Sequence, residues 1–283
     1  MNRKITEKTF GLLGFPLSHS FSALIHNTIF KIHNKNYSYI LLETPTNKIK
    51  TFLENNQNLS GFNVTMPYKN YIYSLIKNRD ETASFFKTTN TILKEQNNSY
   101  KCYNTDYFGF VQTLKFFNVN FKGKILLLGL GGAGKIVATT AIQNKANLTV
   151  AVRKTSKEKA TKTLKELFTK NFNENFKVVD LNQIPKEKFN IIVNATPVGM
   201  SPNTKEMPLN QAFLDCETAI DLIYNPSETL FLKSAKKLGA KTINGLMMLI
   251  FQAVASFKIF TNSNLKDTET LKLALKIKEK LKY

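Results

Sequence analysis

A glycine turn set between an apolar run and a small-residue helix pattern constrains this 283-residue chain more than any other feature. Lys124-Ile-Leu-Leu-Leu-Gly129 passes directly into Gly129-Leu-Gly131-Gly132-Ala133-Gly134, and a helix is expected over 134–144. A short apolar run bounded by turn residues reads as a fully buried strand. Gly129 permits the tight turn, Gly131 lets the backbone approach a ligand, and Gly134 lets the helix pack close to the strand. The free N–H groups and the dipole of that helix then favour an anion such as a pyrophosphate.

The same rhythm continues downstream. Strands are expected at 125–130, 148–152, 177–181, 190–194 and 218–223, alternating with helices at 134–144, 156–170 and 227–238. The strands are continuous apolar runs, as in a parallel sheet covered by helices on both faces. Two further helices, about 246–260 and 268–281, close the chain. Upstream, strands are expected at 9–15, 37–44 and 61–65, and a hairpin at 89–94 and 100–104 around Glu95-Gln-Asn-Asn-Ser99. Helices are expected at 47–55, at 68–77, and up to residue 34 from a cap at Ser20 or Ser22. The fold class is α/β with two lobes: an N-terminal α/β lobe and a Rossmann-like, doubly wound parallel-sheet lobe.

Composition narrows the function classes. Forty Lys and Arg against 20 Asp and Glu give a net charge of +20, which raises nucleic acid, an anionic membrane or an acidic substrate as partners. The excess runs evenly through both lobes with no basic tail or block, so it marks no nucleic-acid surface. Cys102 and Cys216 lack CxxC spacing, which argues against a disulfide framework or a zinc site. His19, His26 and His33 repeat at seven, but His19 precedes the helix start, so no metal is expected. The apolar stretches 125–130 and 246–257 fall short of the ~20 residues of a membrane span, and 10–15 is too brief for a signal segment. A soluble cytoplasmic protein is expected, with no membrane or nucleic-acid partner.

Specific chemistry appears at three places. The strand ending at Val152 leads into Arg153-Lys154-Thr155-Ser156-Lys157, where an NAD site usually carries Asp or Glu. Cations and a hydroxyl suit a 2′-phosphate instead, which favours NADP(H). Gly61-Phe-Asn63-Val-Thr65-Met-Pro67-Tyr-Lys69 places Asn, Thr and Lys around a strand end, and such a lysine is a general acid/base candidate. Asn104-Thr-Asp106 ends the hairpin, where a carboxylate near Lys69 would orient it.

These motifs together resemble the shikimate dehydrogenase family, colinearly over nearly the whole chain. Gly14-Phe-Pro-Leu-Ser-His19-Ser20-Phe-Ser22 resembles its G-x-P-x-x-H-S-x-S start, and Asn63 to Lys69 its N-V-T-x-P-x-K motif. Thr89-Asn90-Thr91, Asn104-Thr105-Asp106 and the glycine turn resemble its V-N-T, N-T-D and G-x-G-G-A segments. Asn194-Ala-Thr196-Pro-Val-Gly-Met200, Asp221-Leu-Ile-Tyr224-Asn-Pro226 and Gly245-Leu-Met-Met-Leu249 with Gln252 resemble N-A-T-P-x-G-M, D-x-x-Y-x-P and G-x-x-M-L-x-x-Q. Three positions depart: Ala23 replaces a proline, and Val152 and Lys154 replace the Asn and Thr of an N-R-T cofactor motif.

The resemblance implies NADP-dependent reduction of 3-dehydroshikimate to shikimate, within aromatic amino-acid biosynthesis. It implies Lys69 as catalytic acid/base, held by Asp106. Substrate contacts would come from Ser20, Ser22, Asn63, Thr65, Asn90, Tyr224 and Gln252. Cofactor contacts would come from Gly129, Gly131, Gly132, Ala133, Gly134, Arg153, Lys154, Thr155, Thr196 and Gly245. Residues 1–106, completed by helices in 245–283, would form the substrate domain, and 107–244 the NADP domain. A quinate/shikimate dehydrogenase using NAD and a basic nucleic-acid-binding protein are the competing readings; a monomer or homodimer fits either enzyme.

Overall fold

The computed structural model describes residues 8–18, 20–56, 58–168 and 176–281. His19 and the last residues of the helix expected over 156–170 lie outside them. The chain begins with β1 (Lys8–Gly14), α1 (Ser22–Ile32), β2 (Tyr37–Glu43), α2 (Ile49–Asn55) and β3 (Leu59–Val64). Next come α3 (Lys69–Leu75), α4 (Glu81–Phe86), β4 (Thr91–Lys94), β5 (Tyr100–Tyr103) and α5 (Asp106–Phe116). Then follow β6 (Lys124–Leu128), α6 (Gly132–Gln143), β7 (Asn147–Val152), α7 (Lys157–Phe168), β8 (Phe176–Asp180) and β9 (Phe189–Asn194). The chain closes with β10 (Cys216–Asp221), α8 (Leu230–Lys237), β11 (Lys241–Ile243), α9 (Leu246–Thr261) and α10 (Asp267–Lys280).

Two compact units divide the chain: residues up to Gly109 with those from Leu249 onward, and Phe110–Met248. The α/β class and the two-lobed organisation are as the sequence pattern predicts. Boundaries shift by a few residues, and three elements (α4, α5 and β11) go beyond the pattern.

The first unit holds a five-stranded sheet of order β2-β1-β3-β4-β5. β1 runs parallel to β2 and β3, and the hairpin β4–β5 adds two antiparallel strands. Alternation along β3 sorts its side chains. Phe62 and Val64 join Ile49, Phe52, Ile72 and Ala83 in one core, while Gly61 and Asn63 turn toward α9, meeting Phe260 and Ser256. On that second face α1 buries Ile25, His26, Ile29 and Phe30 at helical spacing, a stripe that covers the sheet. The helix cap is Phe21 rather than a serine; Ser20 Oγ instead accepts from the Ser22 amide at 3.2 Å.

The second unit is a six-stranded, wholly parallel sheet of order β11-β10-β9-β6-β7-β8. Strands β6 to β8 run outward one way and β9 to β11 the other, so the order reverses between β6 and β9. In such a sheet the crevice at the carboxyl ends of the strands beside the reversal is the ligand-binding place. The sheet needs covering on both faces; Leu126, Leu128, Ile192 and Ala219 pack with Phe231, Leu232 and Ala235 of α8 in one fully apolar layer.

Candidate active site

In the first unit the carboxyl ends of β1 and β3 place two loops side by side. The Thr65 amide donates to Leu13 O at 2.9 Å and the Phe15 amide to Met66 O at 3.3 Å. A side chain at Gly14 would lie 2.4 Å from the Thr65 methyl, so the serine loop and the Thr65–Lys69 loop touch. The Leu17 amide donates to Glu43 Oε2 at the end of β2, and the Ser20 amide to Leu17 O. These bonds hold the loop that carries Ser20 and Ser22.

Lys69 opens α3 and Asp106 opens α5. Lys69 Nζ donates to Asp106 Oδ2 at 2.6 Å, with side chains 24% and 8% exposed. The pair is therefore sheltered but reachable on the lysine side. Asp106 stands at its helix start because Asn104 Oδ1 accepts from its amide at 3.1 Å. Its Oδ1 accepts from Asn90 Nδ2 at 2.8 Å. Asn90 Nδ2 also faces Thr105 Oγ1 at 2.9 Å and Gln252 Oε1 at 3.2 Å, and its Oδ1 accepts from the Thr105 amide at 2.8 Å. One buried network thus joins Lys69, Asp106, Asn90 and Gln252, four of the expected site residues.

Behind this network stand Thr91, Thr105 and Ser256, residues with no role foreseen in the sequence. Ser256 Oγ lies 2.9 Å from Thr91 Oγ1 and 3.1 Å from Thr105 Oγ1, and donates to Gln252 O at 3.0 Å. Ser256 follows Gln252 by four residues on α9, so both share a helix face; that spacing was the available signal. Asn63 belongs to this back wall. Its Nδ2 reaches Asn90 O, Thr91 Oγ1 and Ser256 Oγ, and its Oδ1 accepts from the Tyr39 hydroxyl at 2.8 Å. Burial pushes the Tyr39 phenol above its ordinary range, which keeps it a donor.

In the second unit the expected cofactor residues all follow carboxyl ends of parallel strands: the glycine turn after β6, Arg153 to Thr155 after β7, Thr196 after β9 and Gly245 after β11. Gly129 has φ +85°, and a Cβ at Gly134 would meet Gly129 O at 2.5 Å, so the protein's own geometry requires both glycines. Gly131 differs: an added Cβ would meet nothing within 4 Å. It caps α6 without a side-chain bond, and no acidic residue occupies the first turn. An open cradle of backbone N–H groups at a twelve-residue helix suits an anionic dinucleotide.

Past the ends of β7 and β8, Lys154 and Lys157 line a pocket of about 310 Å³ with Asp180, Asn182 and Gln183. Thr196 packs under the glycine turn, its methyl 2.7 Å from where a Gly129 Cβ would stand. Gly245 donates its amide to Ile223 O at 2.9 Å, and a side chain there would collide with Leu222 O. Tyr224 follows β10 in this unit.

Among the described residues no group of three or more His, Cys, Asp or Glu could hold a metal, and no helix is long and apolar enough to cross a membrane. Cys102 and Cys216 are buried and free; burial pushes both thiols up to about 11, so they stay protonated and inert.

Residues 12–92 match the family model for the shikimate dehydrogenase substrate binding domain. The chain is 37% identical over 262 residues to the shikimate dehydrogenase (NADP(+)) of Leptospira interrogans, covering 90% of this chain and 89% of that protein. Shikimate dehydrogenase 1 from Peptoclostridium difficile superposes with a TM-score of 0.85 at 33% identity, over 96% of this chain and 98% of that one. Shikimate 5-dehydrogenase from Thermus thermophilus, solved in complex with NADP(H) and shikimate, gives 0.80 at 27% identity over 95% and 99%. With sequence identity sustained along both units, the chain belongs to the shikimate dehydrogenase family.

Proposed function

We propose that this chain interconverts 3-dehydroshikimate and shikimate with NADP(H), and that Lys69 carries the proton. The observation that supports this most is the 2.6 Å Lys69–Asp106 pair set in the Asn90–Gln252 network. Asp106 Oδ2 takes one Nζ hydrogen and so fixes the direction of the ammonium. The remaining Nζ hydrogens have no protein partner among the described residues and are available to a substrate oxygen. In the reducing direction Lys69 donates the proton that completes the new hydroxyl; in the oxidising direction it receives one from that hydroxyl.

Hydride chemistry is the contribution of NADP(H) when bound. The residues that would hold it are the backbone of Gly129, Gly131, Gly132, Ala133 and Gly134 at the phosphates, Arg153, Lys154 and Thr155 at the 2′-phosphate, and Thr196 and Gly245 along the same sheet edge. Ser20 and Ser22 would donate to the substrate carboxylate, with Tyr224 as a further donor. Thr65, Asn90 and Gln252 would meet its hydroxyls. Asn63 would stand beside them, both ends of its amide bonded to the protein as both ends of the Asn90 amide are. In this reading the first unit is the substrate domain and the second the NADP domain.

The test is Lys69→Met assayed for shikimate oxidation. The expected result is a kcat about 10²-fold lower or less still, the scale of a positioned acid/base, with KM nearly unchanged. A raised KM at near-normal kcat would leave Lys69 a binding residue only.

A further inference from the structure

Asp221 is a fully buried carboxylate at the end of β10, with no cation paired to it among the described residues. Three neutral donors hold it. Oδ1 accepts from Asn194 Nδ2 and from the Ile223 amide, each at 3.1 Å, and Oδ2 accepts from Thr229 Oγ1 at 2.6 Å. Burial pushes its pKa up to about 6 against the pull of these three donors. A buried carboxyl of this kind is costly, and an apolar residue would serve packing better.

Its geometric effect lies one residue away. A carboxylate only accepts, so Asn194 turns its Nδ2 toward Asp221, with Val198 O as a second acceptor at 3.3 Å, and its Oδ1 away. That Oδ1 accepts from the Thr196 amide at 3.0 Å and from Thr196 Oγ1 at 2.7 Å. Thr196 is thereby pinned beneath Gly129 of the glycine turn. The other oxygen sets the Thr229 hydroxyl proton, leaving Thr229 Oγ1 to accept from the Leu232 amide and cap α8. One carboxylate thus ties the ends of β9 and β10 and the start of α8 to the strand edge where the glycine turn sits.

We propose that Asp221 is a positioning residue for the cofactor site, holding Thr196 against the glycine turn through the orientation of the Asn194 amide. The inference rests on the reading of that edge as the NADP(H) site. Loss of the carboxylate leaves the Asn194 amide held by Val198 O at 3.3 Å and by Thr196 itself, which loosens Thr196 and weakens cofactor affinity while the proton-transfer residues of the first unit keep their places.

The experiment measures NADPH dissociation constants by calorimetry for wild type, Asp221→Leu, Thr196→Val and the double variant, with steady-state kinetics alongside. Each single variant should raise Kd about tenfold, the scale of one lost buried hydrogen bond. The double variant should be no weaker than the weaker single, because both act on one contact. Asp221→Asn keeps an acceptor oxygen for the Asn194 amide and should hold Kd within about threefold of wild type. For Asp221→Leu, kcat at saturating cofactor and KM for shikimate should stay within about threefold of wild type. Additive losses, an unchanged Kd for Asp221→Leu, or a loss confined to kcat would overturn the proposal. If Asp221→Leu does not fold, Asn194→Ala removes the amide that links Asp221 to Thr196 and should raise Kd in the same way; no change in Kd would again overturn the proposal. Failure of the wild-type protein to bind NADPH would instead overturn the functional reading on which the proposal stands.

Discussion

His26 makes the sharpest quantitative prediction because it is a buried imidazole with nothing to bond. It is fully buried on α1, stacked face to face on Tyr39 at 4.2 Å, and flanked by Phe30 and Phe260. Neither ring nitrogen has a hydrogen-bond partner among the described residues. Burial holds its pKa down from 6.5 to about 3. The unfolded chain therefore takes up this proton before the folded one does. Stability from this group is full above about pH 6.5 and falls as pH drops toward 3, by about 1.4 kcal/mol per pH unit. At pH 4.5 the loss amounts to about 3 kcal/mol, a large share of the 5–15 kcal/mol that holds an ordinary domain folded.

His26→Leu replaces the ring with an apolar side chain of similar volume and abolishes the titration. The assay is urea unfolding followed by far-UV circular dichroism at pH 7.5, 5.5 and 4.5, since the chain has no tryptophan to report. The variant should equal or exceed wild type at pH 7.5, and its advantage should widen by about 3 kcal/mol at pH 4.5. Carboxylates titrate alike in both proteins and cancel in the difference. Parallel loss of stability on acidification would show that protonation of His26 does not set the acid limit.

The glycines of the turn divide by mechanism. Gly134→Ala should lower Tm by several degrees, since its Cβ would meet backbone at 2.5 Å and overpacking costs about 1–3 kcal/mol. Gly131→Ala should leave Tm unchanged yet raise Kd for NADPH; a Tm loss equal to that of Gly134→Ala would count against a ligand role for Gly131. Arg153→Ala should weaken NADPH about tenfold or more, as loss of a charge-assisted contact does, with NADH little affected. Equal losses for both cofactors would remove Arg153 from the 2′-phosphate.

Local pattern carried the second unit well outside β11, because its other five strands are short, mostly apolar runs. It carried α5 poorly: that helix starts where Asn104 Oδ1 receives the Asp106 amide, a side-chain bond no periodicity displays. The six-residue α4 did leave a trace, since Asp80 accepts from the Ala83 amide as an N-cap. At the candidate site, the pairing of Lys69 with Asp106 was legible from motif chemistry. The wall behind it was not. Asn63 meets Ser256 across 193 residues of chain, a contact set by the return of α9 to the first sheet and invisible to spacing. Asp221 was visible as a motif residue, but its work depends on Asn194 and Thr229 arriving from two other elements.

The purified chain should be assayed at 340 nm, the reduced-nicotinamide band, with shikimate and with quinate, each against NADP and NAD. Turnover with shikimate and NADP should stand well above the other three combinations. No turnover in any of the four, or turnover dominated by quinate with NAD, would contradict the proposed reaction.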